Sequence, residues 1–148
     1  MLNKTHLAIG AFFMLFFMHK VVHVWVYFVV FLIATLLPNA TSILSLKGFK
    51  VLNQAKGLVK KRGMLHSFTL CFIITFLLAW FLPTAAFPFF LGYGVHLLAD
   101  SWTVEGIRPF WPLKYESKGK LRRDGSVENT LFYSFIVADI LLVWFLFF

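Results

Sequence analysis

The sequence predicts an all-α, polytopic membrane bundle of about five transmembrane helices, and three observations carry that expectation. First, 60% of the 148 residues are apolar and only 14% are charged, against roughly 45–50% and about 25% in ordinary soluble domains. Second, the apolar residues fall into five runs, the pattern of repeated membrane crossings. Third, the net charge of +8 is concentrated in alternate connections between those runs. A mean hydropathy of +0.82 excludes a disordered chain, a disulfide scaffold and a typical cytosolic enzyme. The lone Cys71 cannot form an intrachain disulfide.

The runs cover residues 7–18, 21–37, 64–82, 85–98 and 130–148. A hydrocarbon core of about 30 Å needs roughly 20 helical residues. The first and fourth runs fall short unless flanking residues join them, so the first span is expected to start at Asn3 or Lys4. His19, Lys20 and His23 interrupt the first two runs. That interruption favours a tight hairpin over one long span or a re-entrant pair. Pro38, Pro83 and Pro88 lie near the ends of runs, where a missing backbone donor costs least. The chain reads as one membrane-embedded domain, 1–148, with a basic interfacial loop at 38–63 and an aromatic and basic loop at 101–129.

Charge sets the orientation. Lys47, Lys50, Lys56, Lys60, Lys61 and Arg62 fill the 38–63 connection without an acid. Arg108, Lys114, Lys118, Lys120, Arg122 and Arg123 occupy 101–129, and Lys4 precedes the first run. The other two connections hold only Lys20 and no charge at all. Lys and Arg accumulate on the cytoplasmic side, and five spans put every basic segment there, with the N-terminus in and the C-terminus out. The bundle is therefore expected in the inner, cytoplasmic membrane. Ile43, Leu44, Leu46, Phe49, Val51 and Leu52, interleaved with lysines, suit a stretch lying on an anionic leaflet. Membrane lipids with anionic headgroups are the expected partners. Nucleic acid is not, because no recognised nucleic-acid-binding motif accompanies the charge.

On this topology the unusual polar residues share one face. His6 opens the first span, Asn39, Thr41 and Ser42 follow the second, and His66 and Ser67 open the third. His96 and Asp100 close the fourth, and Glu128 opens the fifth. His96 and Asp100, four apart, share a helix face, and such a pair suits one divalent cation or a plain carboxylate–histidine bond. Trp102, Phe110, Trp111 and Tyr115, stiffened by Pro109 and Pro112, read as an aromatic belt or as a rigid lid beside that pair. Asp139 lies inside the fifth run, where a carboxylate must pair, be protonated or face the bundle. An interhelical hydrogen bond and a proton relay are both open readings, and a small channel or transporter is a further idea that Asp139 alone suggests.

These residues occur in a recognisable order. Thr5-His6 with Ile9-Gly10 comes first, then Leu36-Leu37-Pro38, then Arg62-Gly63 with His66-Ser67. The longest block runs from Leu91-Gly92-Tyr93-Gly94-Val95-His96 through Asp100-Ser101 and Thr103 to Gly106-Ile107-Arg108-Pro109 and Phe110-Trp111-Pro112. Over almost the whole chain the sequence resembles the YdjM-like family, LexA-binding, inner-membrane-associated metal-dependent hydrolases. The resemblance implies a metal site of an N-terminal His, a Leu-Pro-Asp-x-Asp segment, a His-Arg-Gly-x-x-His-Ser segment and a His-x-x-x-Asp segment. His6, His66, His96 and Asp100 match as metal ligands, for Zn or for Mn or Mg. Arg62, His66 and Asp100 are the implied catalytic residues, with Arg62 placed to hold a phosphate bidentately or to touch a lipid headgroup.

Three positions depart from the pattern. Asn39 and Thr41 stand where the two Asp of the second segment are expected, and Lys61 replaces the first His of the third. Two anionic ligands and one imidazole are lost, and an ammonium opposes a metal by like charge. Two functional expectations follow from the resemblance. One is a membrane-bound, metal-dependent hydrolase of a phosphoester or lipid-related substrate, working at the cytoplasmic face. The other is a catalytically impaired relative that serves as a structural or partner-binding membrane protein.

Overall fold

A computed structural model describes residues 3–46, 64–122 and 125–147. Five α-helices are found among them: α1 (Asn3–Met18), α2 (Val24–Leu46), α3 (Phe68–Phe81), α4 (Pro83–Ser101) and α5 (Ser126–Phe147). A short 3-10 turn, Met64–His66, leads into α3. The described residues form no strand, only two isolated bridges, Thr103 with Leu121 and Ile107 with Ser117.

Helix boundaries follow local chemistry. α1 starts at Asn3 and ends before His19 and Lys20, so the first two runs form a hairpin rather than one span. Ser67 caps α3, its hydroxyl accepting the Leu70 N–H at 3.3 Å, which satisfies one of the orphan donors of the first turn. The third helix therefore begins at Phe68, four residues later than the apolar run. Pro83 opens α4, where its absent N–H would be unpaired anyway and its fixed φ suits a helix. Glu128 lies in the first turn of α5, favourable to the helix dipole, so this helix starts four residues before the apolar run.

The largest correction concerns Pro38. The second helix does not end at Leu37: α2 continues through Pro38 to Leu46, so the first nine residues of the expected interfacial loop are helical. A proline inside a helix removes the bond to the carbonyl four residues back and costs roughly 3 kcal/mol. Here Pro38 is fully buried, and Ala34 one turn earlier belongs to the core cluster with Phe89, Tyr93 and Leu97 of α4. Packing on α4 outweighs the lost bond. Pro88, buried within the second turn of α4, is held in the same way. The remaining residues of the expected loop, 47–63, lie outside the described residues.

Helix pairing alternates in direction. The Tyr27 hydroxyl donates to the Phe13 carbonyl, and Gly10 faces Phe31 and Thr35, so α1 and α2 run antiparallel. Leu65 and Phe72 meet Tyr93 and Phe90, so α3 and α4 are antiparallel too. α2 and α4 run parallel, Tyr27 meeting Phe87 and Thr35 meeting Gly92. α1 and α5 are also parallel, with Thr5 against Glu128 and Phe12 against Phe135. The starts of α1, α3 and α5 and the ends of α2 and α4 therefore gather at one end of the bundle. The closest approach is at Gly92, where a Cβ would stand 2.6 Å from the Phe31 carbonyl oxygen and 3.0 Å from the Thr35 hydroxyl. Only glycine allows α2 and α4 that near.

Among the described residues one helix segment, Ser126–Leu146, is long and apolar enough to cross a membrane by length and composition, and its most apolar 18 residues are not buried within the bundle. The apolar stretches Lys4–Met18, Val24–Asn39 and Phe68–Phe81 are shorter.

Candidate metal centre

The gathered helix ends bring four polar side chains into one buried cluster. His6 comes from the first turn of α1, His66 from the 3-10 turn, and His96 and Asp100 from the last turns of α4. All four are buried, none more than 4% exposed. His6 Nε2 stands 3.2 Å from Asp100 Oδ1, while His96 Nε2 and His66 Nε2 stand 3.4 Å and 3.7 Å from Asp100 Oδ2. The His6 and His96 rings lie 4.4 Å apart, and His66 and His96 6.0 Å apart. Three imidazoles thus turn toward one carboxylate, and a charge so deeply buried is tolerable only when it is paired.

Local packing explains why these side chains meet. The Tyr93 hydroxyl, fully buried, donates to the carbonyl of Leu65 and fixes the turn that carries His66. The Phe68 N–H donates to the Pro109 carbonyl at 2.8 Å and ties the start of α3 to the loop after α4. Thr103 closes α4 beneath Asp100, its hydroxyl donating to the Asp100 carbonyl at 2.7 Å. That loop is close-packed. Gly106 takes φ +64°, in the left-handed region that favours glycine, and a Cβ at Gly119 would collide with the Trp102 backbone. Glu116 pairs with Arg108 at 3.1 Å and with Lys118 at 2.9 Å. Trp102, Phe110 and Tyr115 of this loop are about half exposed or more.

One donor atom from each of His6, His96 and Asp100 lies within 4.8 Å of the others, so this buried group can hold a metal ion. Its spacing suits that task. Two donors bound about 2.0–2.1 Å from one tetrahedral ion stand about 3.3–3.4 Å apart, close to the two shorter distances here. His96 Nε2 faces Asp100 Oδ2 at 3.4 Å without the alignment of a good hydrogen bond. His66 falls outside the three-residue group.

Arg62 and Lys61 are outside the described residues, as is the side chain of Thr41. Asn39 is half-buried near the end of α2. Asp139 makes no interhelical hydrogen bond among the described residues: its Oδ1 is buried and unpartnered on α5. One contact went unread in the sequence. Glu128 is fully buried and accepts a hydrogen bond at 3.2 Å from the equally buried Thr5, which precedes His6. A lone acid opening the last helix was visible, but its partner, 123 positions away, was not.

A family model matches residues 1–147, and it is that of the YdjM inner membrane protein. The chain belongs to the YdjM family. No curated protein and no solved structure matches the chain. The YdjM match spans every element of the bundle, from α1 with His6 to α5, so the buried His/Asp group lies wholly within the matched residues.

Proposed function

We propose that the chain is a multi-pass inner-membrane hydrolase that uses a divalent metal to cleave a phosphoester, on a lipid or another membrane-proximal substrate. The observation that carries this reading is the buried set of His6, His96 and Asp100, with His66 3.7 Å from the same carboxylate. Three protein ligands with one position open distinguish catalytic from structural Zn sites, which are closed by four. When bound, a metal would supply Lewis acidity at a phosphoryl oxygen and a more acidic water. His6, His96 and Asp100 would hold it, and the Thr103 hydroxyl, bonded to the Asp100 main-chain carbonyl, would fix the end of α4 that carries the carboxylate. His66, next to this set, has an imidazole suited to moving a proton to or from the reacting oxygens. Arg62 is assigned the bidentate hold on the substrate phosphate.

Five spans are part of this reading. Alternating helix directions and the exposed apolar faces of Phe76, Trp80 and Phe81 on α3, and of Ile140, Trp144 and Phe145 on α5, support it, since soluble monomers rarely expose apolar patches beyond a few hundred Å². The basic residues then face the cytoplasmic leaflet, where anionic lipid headgroups are the proposed partners. A second reading, a catalytically impaired relative, draws on Asn39, Thr41 and Lys61 in place of two carboxylates and an imidazole.

Metal analysis of detergent-purified full-length protein separates the two. Stoichiometric Zn or Mn, lost in a His96→Ala/Asp100→Ala variant, together with metal-dependent hydrolysis of a generic phosphodiester, is the expected result. Metal-free, normally stable protein would leave the impaired relative as the reading. A thiol introduced at Lys20 should react with a membrane-impermeant reagent from outside the membrane, and one at Lys118 should not; the reverse pattern removes the proposed orientation.

A further inference from the structure

The opposite end of the bundle carries a second feature, which the hydrolase reading does not use. A cavity of about 320 Å³ opens there between the α1–α2 hairpin and the start of α4. Its walls are apolar, with Val22, Tyr27 and Phe87 among them, and Lys20, His23 and Thr84 supply its polar groups. Phe87 braces the cavity, its ring meeting Phe17 at 5.7 Å and Tyr27 at 6.3 Å.

Among the described residues no acidic side chain answers the charge at this end. The chain contains six acids, and none occurs before Asp100. Asp100 and Glu128 lie at the end that carries the His/Asp cluster, Glu105 and Glu116 belong to the loop at that same end, and Asp139 sits midway along α5. Lys20 is the only Lys or Arg in a connection at the cavity end, and it forms no ion pair among the described residues. Lys20 and His23 are both exposed at this rim and open to an anion. An imidazole N–H at His23 and a hydroxyl at Thr84 add donors to the same rim.

We infer that this cavity binds an anionic phospholipid of the surrounding membrane, its phosphate held by Lys20 and His23 and its glycerol and upper chains laid against Val22, Tyr27 and Phe87. Cationic rim and apolar wall together fit an amphiphile, whereas a free inorganic phosphate would leave the apolar wall wet. The inference rests on the proposed membrane-spanning bundle and is independent of whether the metal centre is active.

The test is photolabelling of the full-length protein in bilayer nanodiscs by a phosphatidylglycerol that carries a diazirine close to its headgroup, with adducts mapped by peptide mass spectrometry. Adducts are expected on residues 20–27 and 83–88 and on the Lys- and Arg-rich segments of the other end. A Lys20→Ala/His23→Ala variant should lose at least about tenfold of the first set and keep the second. Thr84→Trp, which fills the cavity and leaves the charge, should lose the first set as well. The phosphatidylcholine analogue should label residues 20–27 and 83–88 weakly, and millimolar inorganic phosphate should not compete. Labelling of the first set within twofold of wild type in both variants overturns the site, and competition by inorganic phosphate overturns the lipid as its occupant. Absence of labelling along the whole chain would remove the membrane reading, and this inference with it.

Discussion

Asp100 of α4 and Asp139 of α5 each sit in a mostly apolar helix, and the two have opposite surroundings. Asp100 lies at the end of α4, which is packed against α2 and α3, and meets three imidazoles within 3.7 Å. Asp139 lies on α5, which packs along α1 and leaves the rest of its surface open, and its Oδ1 meets no donor among the described residues. The same chemical group is an organising centre in one helix and an unsatisfied one in the other. Helical context alone does not distinguish them; what differs is how many other elements arrive at the same level with a donor.

Removing the organising centre should have the largest effect. Asp100→Ala withdraws the only carboxylate of the cluster and leaves three imidazoles facing one another, so metal affinity should fall by about 100-fold or more, read by titration with Zn into metal-stripped protein. An unchanged affinity would mean that Asp100 plays no part in holding a metal. Next comes the framework that brings α4 beside α2. Gly92→Val places branched carbon where a Cβ already stands 2.6 Å from the Phe31 carbonyl, and about 1–3 kcal/mol of stability should be lost, measured as a lower thermal midpoint in detergent. Gly10→Ala, whose nearest neighbours would stand 3.5 Å away, should change little and serves as the control.

A smaller loss is expected at the α1–α5 clasp. Glu128→Ala leaves the buried Thr5 hydroxyl without its acceptor and should cost about 1–2 kcal/mol, whereas Glu128→Gln keeps an acceptor oxygen and should recover most of it. If Ala and Gln behave alike, the hydrogen bond is not what holds the two helices together. At the small end, Asp139→Leu should raise stability by about 1 kcal/mol, because an unpartnered polar oxygen gives way to an apolar side chain. Destabilisation instead would point to a partner on a surface that a single chain does not display.

Much of the fold was legible. Apolar runs located all five helices, because a helix that buries an apolar stripe needs apolar residues along its length whatever it packs against. Their ends were legible only where the signal is local. Pro83 at the start of α4 follows from one residue's backbone chemistry. Pro38 does not: by itself it argues for a helix end, and only burial against α4 carries α2 past it. The candidate site was legible in part. His96 and Asp100 share a helix face at four-residue spacing, which any helix guarantees. That His6 and His66 reach the same carboxylate depends on Gly92, Tyr93 and the Thr5–Glu128 clasp, contacts between residues 28 to 123 positions apart.

Sequence alone determined the composition class, the order of the five helices found among the described residues, the clustering of basic residues in alternate connections, and the set of histidines and acids open to chemistry. These are properties of runs and short spacings, and short-range geometry translates them directly. The tertiary structure decided which of those polar groups share a pocket and which stand alone. That choice belongs to helix packing, because a buried carboxylate is tolerable only where several distant segments deliver donors to one point; among the described residues Asp100 has them and Asp139 Oδ1 does not.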